Sequence, residues 1–139
     1  MTLTSFQMAE DGIRIETVLP NPFVEAIAES ENGQSPVDVV ATAYRLHSEE
    51  GPCPIQGSPR AWRLHDIDAR RYVVDYACAS ALPHTLTIEY TLAARGRESK
   101  GAHENFFNLS LPGHTQNEVL SLSRNQMTLP VAEIIRQNG

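Results

Sequence analysis

An all-β fold, an antiparallel β-sandwich formed as a single domain over residues 1–139, is what this sequence predicts, and three observations predict it. Apolar and polar residues alternate with period two along much of the chain, which is the pattern of a half-buried strand. The alternating runs are short and are separated by Pro, Gly and Asn, the residues that turn a chain. Helical spacing is faint and confined to residues 41–47 and 131–137.

Taken in order, residues 13–18 supply a strand, ended by Pro20 and Pro22, which have no N–H to give a central ladder. Residues 23–28 and 37–43 flank Glu31-Asn32-Gly33-Gln34. Asn-Gly accepts positive φ at both positions, so a β-hairpin is expected there. Residues 51–59, rich in Pro and Gly, read as a long irregular loop of the kind that carries sites on a rigid sheet. Residues 72–79 set Tyr72, Val74, Tyr76 and Cys78 against Val73, Asp75, Ala77 and Ala79. Residues 84–92 set Leu86, Ile88, Tyr90 and Leu92 against Thr85, Thr87, Glu89 and Thr91. These two strands are expected to pair antiparallel across Ala81-Leu82-Pro83. Residues 106–111 and 119–123 add two more about the Pro112-Gly113 turn.

A chain of 139 residues buries about 68–70% of its unfolded surface, so a core needs no staple. The net charge of −6 argues against nucleic acid, whose binding is built from clustered Lys and Arg. No apolar run approaches membrane-spanning length and the first residues carry no leader pattern, so a cytoplasmic protein without a membrane partner is expected. Cys53 and Cys78 have neither CxxC spacing nor the density of a secreted scaffold, so free thiols are expected. His65-Asp66-Ile67-Asp68 offers metal-ligand types, but no second cluster completes a site. No phosphate loop, dinucleotide fingerprint or nucleophile signature appears, and no cofactor is expected.

One stretch carries a chemical lead. Glu104-Asn105-Phe106-Phe107-Asn108-Leu109-Ser110, followed by Thr128-Leu129-Pro130-Val131, resembles the Asn-His-Ser/Thr-Tyr-Phe-Asn-Leu signature and Leu-Pro-Val-Asp-Glu stretch of the aldose 1-epimerase (galactose mutarotase) family. Ala81-Leu82-Pro83-His84-Thr85-Leu86-Thr87-Ile88-Glu89-Tyr90-Thr91-Leu92 resembles the family's Gly-Tyr-Pro-Gly-Thr-Leu-Thr-Val-Thr-Tyr-Thr-Leu. Gly12-Ile13-Arg14-Ile15 and Val37-Asp38-Val39-Val40 resemble its opening strands. The resemblance implies a strongly shortened mutarotase supersandwich, and the family's carboxy-terminal catalytic Glu has no counterpart here.

Mutarotation needs one group to take the anomeric proton and another to protonate the ring oxygen. On this alignment the family's catalytic His falls on Glu104, with His103 one residue early. Neighbouring strand residues point to opposite faces, so Glu104 is preferred over His103. Leu64-His65 stands where the family's sugar-binding loop would be, and Arg60 where its Asn-Arg pair would be. The candidate catalytic residues are therefore Glu104, His65 and His103. Arg60, Trp62, His84 and Asn108 are the candidates for holding substrate, Trp62 as an apolar platform.

The function this implies is an isomerase or cyclase moving protons on a small molecule, a sugar or a repurposed substrate. The alternative is a noncatalytic small-molecule or carbohydrate-binding module that has lost the site. A sandwich trimmed in this way leaves edges and an apolar face bare, so a homodimer is expected.

Overall fold

The structure is a computed structural model that describes residues 2–92 and 104–138. The described residues are mostly strand, in two sheets. The first has six strands: β1 (Thr2–Ala9), β2 (Gly12–Pro20), β5 (Arg60–Arg63), β6 (Ala69–Tyr76), β8 (Asn105–Leu111) and β9 (His114–Leu120), in the order β5-β6-β2-β1-β8-β9. The second has four: β3 (Tyr44–Ser48), β4 (Gly51–Pro52), β7 (Leu86–Tyr90) and β10 (Gln126–Leu129), in the order β10-β7-β3-β4. Helices α1 (Asn21–Ser30), α2 (Pro36–Ala43) and α3 (Val131–Asn138) complete the described elements.

β1 alternates Thr4, Phe6 and Met8 inward with Leu3, Ser5 and Gln7 outward, and turns into β2 over two residues, since Ala9 pairs with Gly12. Gly12 is required there: its φ is 147°, and a Cβ would lie 2.8 Å from the Tyr76 carbonyl oxygen. The Pro112-Gly113 turn joins β8 to β9 with Leu111 opposite His114, so the second strand of this pair is His114–Leu120 rather than the expected 119–123. The faint helical spacing at 131–137 falls in α3, whereas that at 41–47 falls on the end of α2 and on β3.

Four further expectations are corrected. Residues 23–28 and 37–43 are not strands but lie in α1 and α2. Val24, Ile27 and Ala28 are buried at helical spacing. The Ser35 hydroxyl accepts from Asp38 N at 3.2 Å as a cap, with Pro36 in the first turn. Asn32 and Gly33 do adopt positive φ, 64° and 72°, but they end a helix: Gly33 N donates to the Ala28 carbonyl at 2.9 Å.

The second correction concerns pairing. β6 pairs with β2 and β5, and β7 with β3 and β10, so residues 72–79 and 84–92 stand in different sheets and the segment between them crosses over. Third, the ladders are not all antiparallel, because β1 runs parallel to β8. Fourth, Cys53 and Cys78 form a disulfide. Cys53 follows β4 and Cys78 follows β6, so the bridge ties one sheet to the other.

Both sheets and the first two helices bury their apolar faces in one cluster that includes Phe6, Ile15, Val39, Leu46, Ile88 and Leu109. At its centre Tyr44, Tyr90 and Phe107 pack with ring centroids 5.5–6.3 Å apart, a geometry in which aromatic edges meet faces favourably. Buried polar atoms there form a closed ring. Asn105 Nδ2 donates to the Tyr44 hydroxyl (2.9 Å), which lies 3.2 Å from the Thr4 hydroxyl, and Thr4 donates to Asn105 Oδ1 (2.8 Å). Thr17 lies 3.0 Å from Thr4 and donates to the Leu3 carbonyl. The Tyr76 hydroxyl donates to the Tyr44 carbonyl at 2.7 Å. Since Tyr44 belongs to the four-stranded sheet and its partners to the six-stranded one, these bonds fix how the sheets register on each other.

All four tyrosines of the chain, Tyr44, Tyr72, Tyr76 and Tyr90, are buried. Desolvation raises the pKa of each phenol. In the unfolded chain these groups ionise near their ordinary value of about 10. Their contribution is therefore intact below about pH 10 and is lost as pH rises beyond it. An alkaline titration should show tyrosinate absorbance and loss of circular dichroism in one steep, coincident transition. Gradual ionisation of a still-folded protein would contradict the burial.

Candidate functional site

The outward positions of the six-stranded sheet line up across all six strands, because the register of each ladder carries one row into the next. The first row is Trp62, Arg71, Val18, Leu3, Phe106 and Val119. Five of these six are apolar, and Leu3 and Trp62 are 64% and 46% exposed. The second row is Arg60, Val73, Glu16, Ser5, Asn108 and Asn117; the third runs Asp75, Arg14, Gln7, Ser110 and Thr115. An apolar stripe bordered by polar rows is thus displayed on a face that no described element covers.

The polar rows are largely paired among themselves. Arg14 Nε donates to Asp75 at 2.8 Å, and Arg60 approaches the same carboxylate at 3.5 Å. Arg71 stands 3.9 Å from Glu16, and Asn108 Nδ2 donates to Asn117 at 3.0 Å across the β8–β9 ladder. The Arg60 guanidinium lies 5.6 Å from the centre of the Trp62 ring, within cation–π range. A shallow groove of about 690 Å³ follows the stripe between Leu3, Glu16, Val18, Arg71, Phe106 and Asn117. A smaller hollow of about 230 Å³ continues it between Trp62, Leu64, Glu16 and Arg71. A third, of about 480 Å³, lies at the other end of the face beside Gln7, Arg14, Gln56 and Asp75.

Of the residues singled out from sequence, Arg60, Trp62 and Asn108 share this face. β5 and β8 are four strands apart in the sheet order, however, so Trp62 and Asn108 are separated by roughly 19 Å. Glu104 is exposed just before β8, where its carbonyl accepts from Thr2 N at 3.1 Å. His65 is exposed in the β5–β6 connection, at the same end of the sheet but again four strands away. His84 lies beside the other sheet. There the Glu49 carboxylate accepts from the backbone N–H groups of His84 and Thr85, both at 3.1 Å, which lowers the Glu49 pKa. His103 lies outside the described residues.

Asp68 is engaged structurally, accepting from Asn21 Nδ2 at 2.8 Å, and no group of three metal-ligating side chains occurs among the described residues. The described candidates for acid and base therefore stand on separate loops and strand ends. What the face offers chemically is desolvation of an apolar partner beside oriented polar groups. Sequence reasoning missed Leu3, Val18, Arg71, Phe106 and Val119. Their alternation within β1, β2, β6, β8 and β9 was the available signal, but only the strand order makes them one row.

No family model matches the chain, and no curated protein matches it significantly.

Proposed function

We propose that this domain is a noncatalytic binding module whose binding surface is the outward face of the six-stranded sheet. The observation that carries this reading is the row from Trp62 to Val119, apolar at every position but Arg71, whose middle four residues line an open groove edged by polar side chains. Contiguous exposed apolar surface on a monomer marks an interaction site. Proton-transfer chemistry, as in an isomerase or cyclase, would need an acid and a base converging on one substrate. Glu104 and His65 are too far apart in the sheet to act on one small molecule within a single copy.

The shared core of the two sheets supports a β-sandwich as the architecture. Descent from the aldose 1-epimerases rests on the collinear segments alone. The Cys53–Cys78 bridge supports an oxidising compartment rather than the cytoplasm.

Trp62 is the only tryptophan of the chain and sits on the proposed surface, so its emission reports occupancy. Dilute protein titrated with methyl glycosides and with small apolar molecules, and concentrated protein without them, should reveal an occupant that shields Trp62 from a neutral collisional quencher. Quenching that no occupant alters, together with accelerated anomer exchange of glucose or galactose by NMR saturation transfer, would overturn the binding reading in favour of an isomerase.

A further inference from the structure

We infer that the occupant of this face is a second copy of the chain, related by a twofold axis that runs parallel to the strands between β1 and β2. This rests on the binding reading above and names its partner. The sheet order places β5, β6 and β2 on one side of that axis and β1, β8 and β9 on the other. Every charged residue of the three rows, Arg14, Glu16, Arg60, Arg71 and Asp75, falls on the first half. The second half contributes only uncharged side chains to those rows.

A twofold of this kind lays each charged half on the uncharged half of the other copy, and each row on itself. In the first row Val18 meets Leu3 of the second copy at the axis, Arg71 meets Phe106 of the second copy, and Trp62 meets Val119 of the second copy. In the outer rows Glu16 meets Ser5 of the second copy and Arg14 meets Gln7 of the second copy. No like charges are opposed, and the intramolecular ion pairs stay intact. An isologous contact of this type is the commonest way a soluble protein closes an interface.

The size of the face fits as well. Six strands about 4.8 Å apart, with three outward positions about 7 Å apart, give a projected footprint of roughly 600 Å² per copy. Side-chain relief brings the accessible area close to the about 800 Å² per partner of a standard interface. Sheets stacked in this way cross at about 30°, so contact is closest at the axis, where Leu3 and Val18 sit.

The test is sedimentation velocity over a concentration series, read beside Trp62 quenching, on the wild type and on Leu3→Arg. Leu3 is exposed in the single copy, so the variant should fold, as circular dichroism will verify. Burying the new charge should weaken dimerisation about a hundredfold. Trp62→Ala, at the rim, gives a second variant and should weaken it less. The expected result is a dimer whose formation shields Trp62 and which Leu3→Arg dissociates. A dimer indifferent to Leu3→Arg, or one that leaves Trp62 equally quenched, overturns the inference. A monomer at all concentrations that binds a glycoside or apolar molecule at Trp62 also overturns it, yet leaves the binding reading standing. A monomer that binds neither overturns both.

Discussion

Replacing both cysteines, Cys53→Ala with Cys78→Ala, should lower the free energy of unfolding by about 3.5 kcal/mol, the chain-entropy value for a closed loop of this length. The bridge spans 25 residues of sequence and encloses residues 54–59 together with all of β5 and β6. Without it, the unfolded chain regains the freedom that the loop had lost. In a domain of this size the loss corresponds to a fall in melting temperature of roughly 10–15 °C. Urea titration of wild type and variant, with circular dichroism to compare the folded states, measures it. A loss below about 1 kcal/mol would mean that the bridge carries little of the link between the sheets.

Asn105→Ala should be comparably damaging, by about 3 kcal/mol, and for a different reason. Asn105 is wholly buried and supplies both a donor to Tyr44 and an acceptor to Thr4. Truncation leaves two buried hydroxyls short of a partner and opens a void, and those costs add. Tyr90→Phe is the informative contrast. The Tyr90 hydroxyl is buried and makes no hydrogen bond with the described residues, so removing it should be neutral or slightly stabilising. Equal losses from Asn105→Ala and Tyr90→Phe would show that packing, rather than the polar ring, is what both report.

Alternation made β2, β6, β7 and β8 legible because each presents β-branched or aromatic residues on the inward side, and Pro112-Gly113 fixed the last hairpin. β1 alternates equally well, but two of its inward residues are Thr2 and Thr4, and buried polar residues hide a strand from any reading by hydropathy. Helices α1 and α2 were misread because short apolar segments around an Asn-Gly pair satisfy a hairpin rule as readily as a helix cap. The other strand pairings and the disulfide were not legible. Both depend on which sheet a strand joins, and the crossover after β6 has no local signature. The same holds for the binding face, where Arg60, Trp62 and Asn108 were each noticed singly and only the nonlocal ladders join them.

The parallel pairing of β1 with β8 sets a schedule for the molecule's birth. Thr2 finds Asn105 as its neighbour and Gln7 finds Ser110, so β1, once synthesised, waits for about a hundred further residues before its second flank is filled. Closing so wide a loop carries an entropic penalty of about 4 kcal/mol, payable only when β8 arrives. Until then the β1–β2 hairpin travels with a naked edge, open to strangers. Assembly of this sheet is consequently slow, gated by translation of β8, and the nascent chain stays vulnerable along that edge until then.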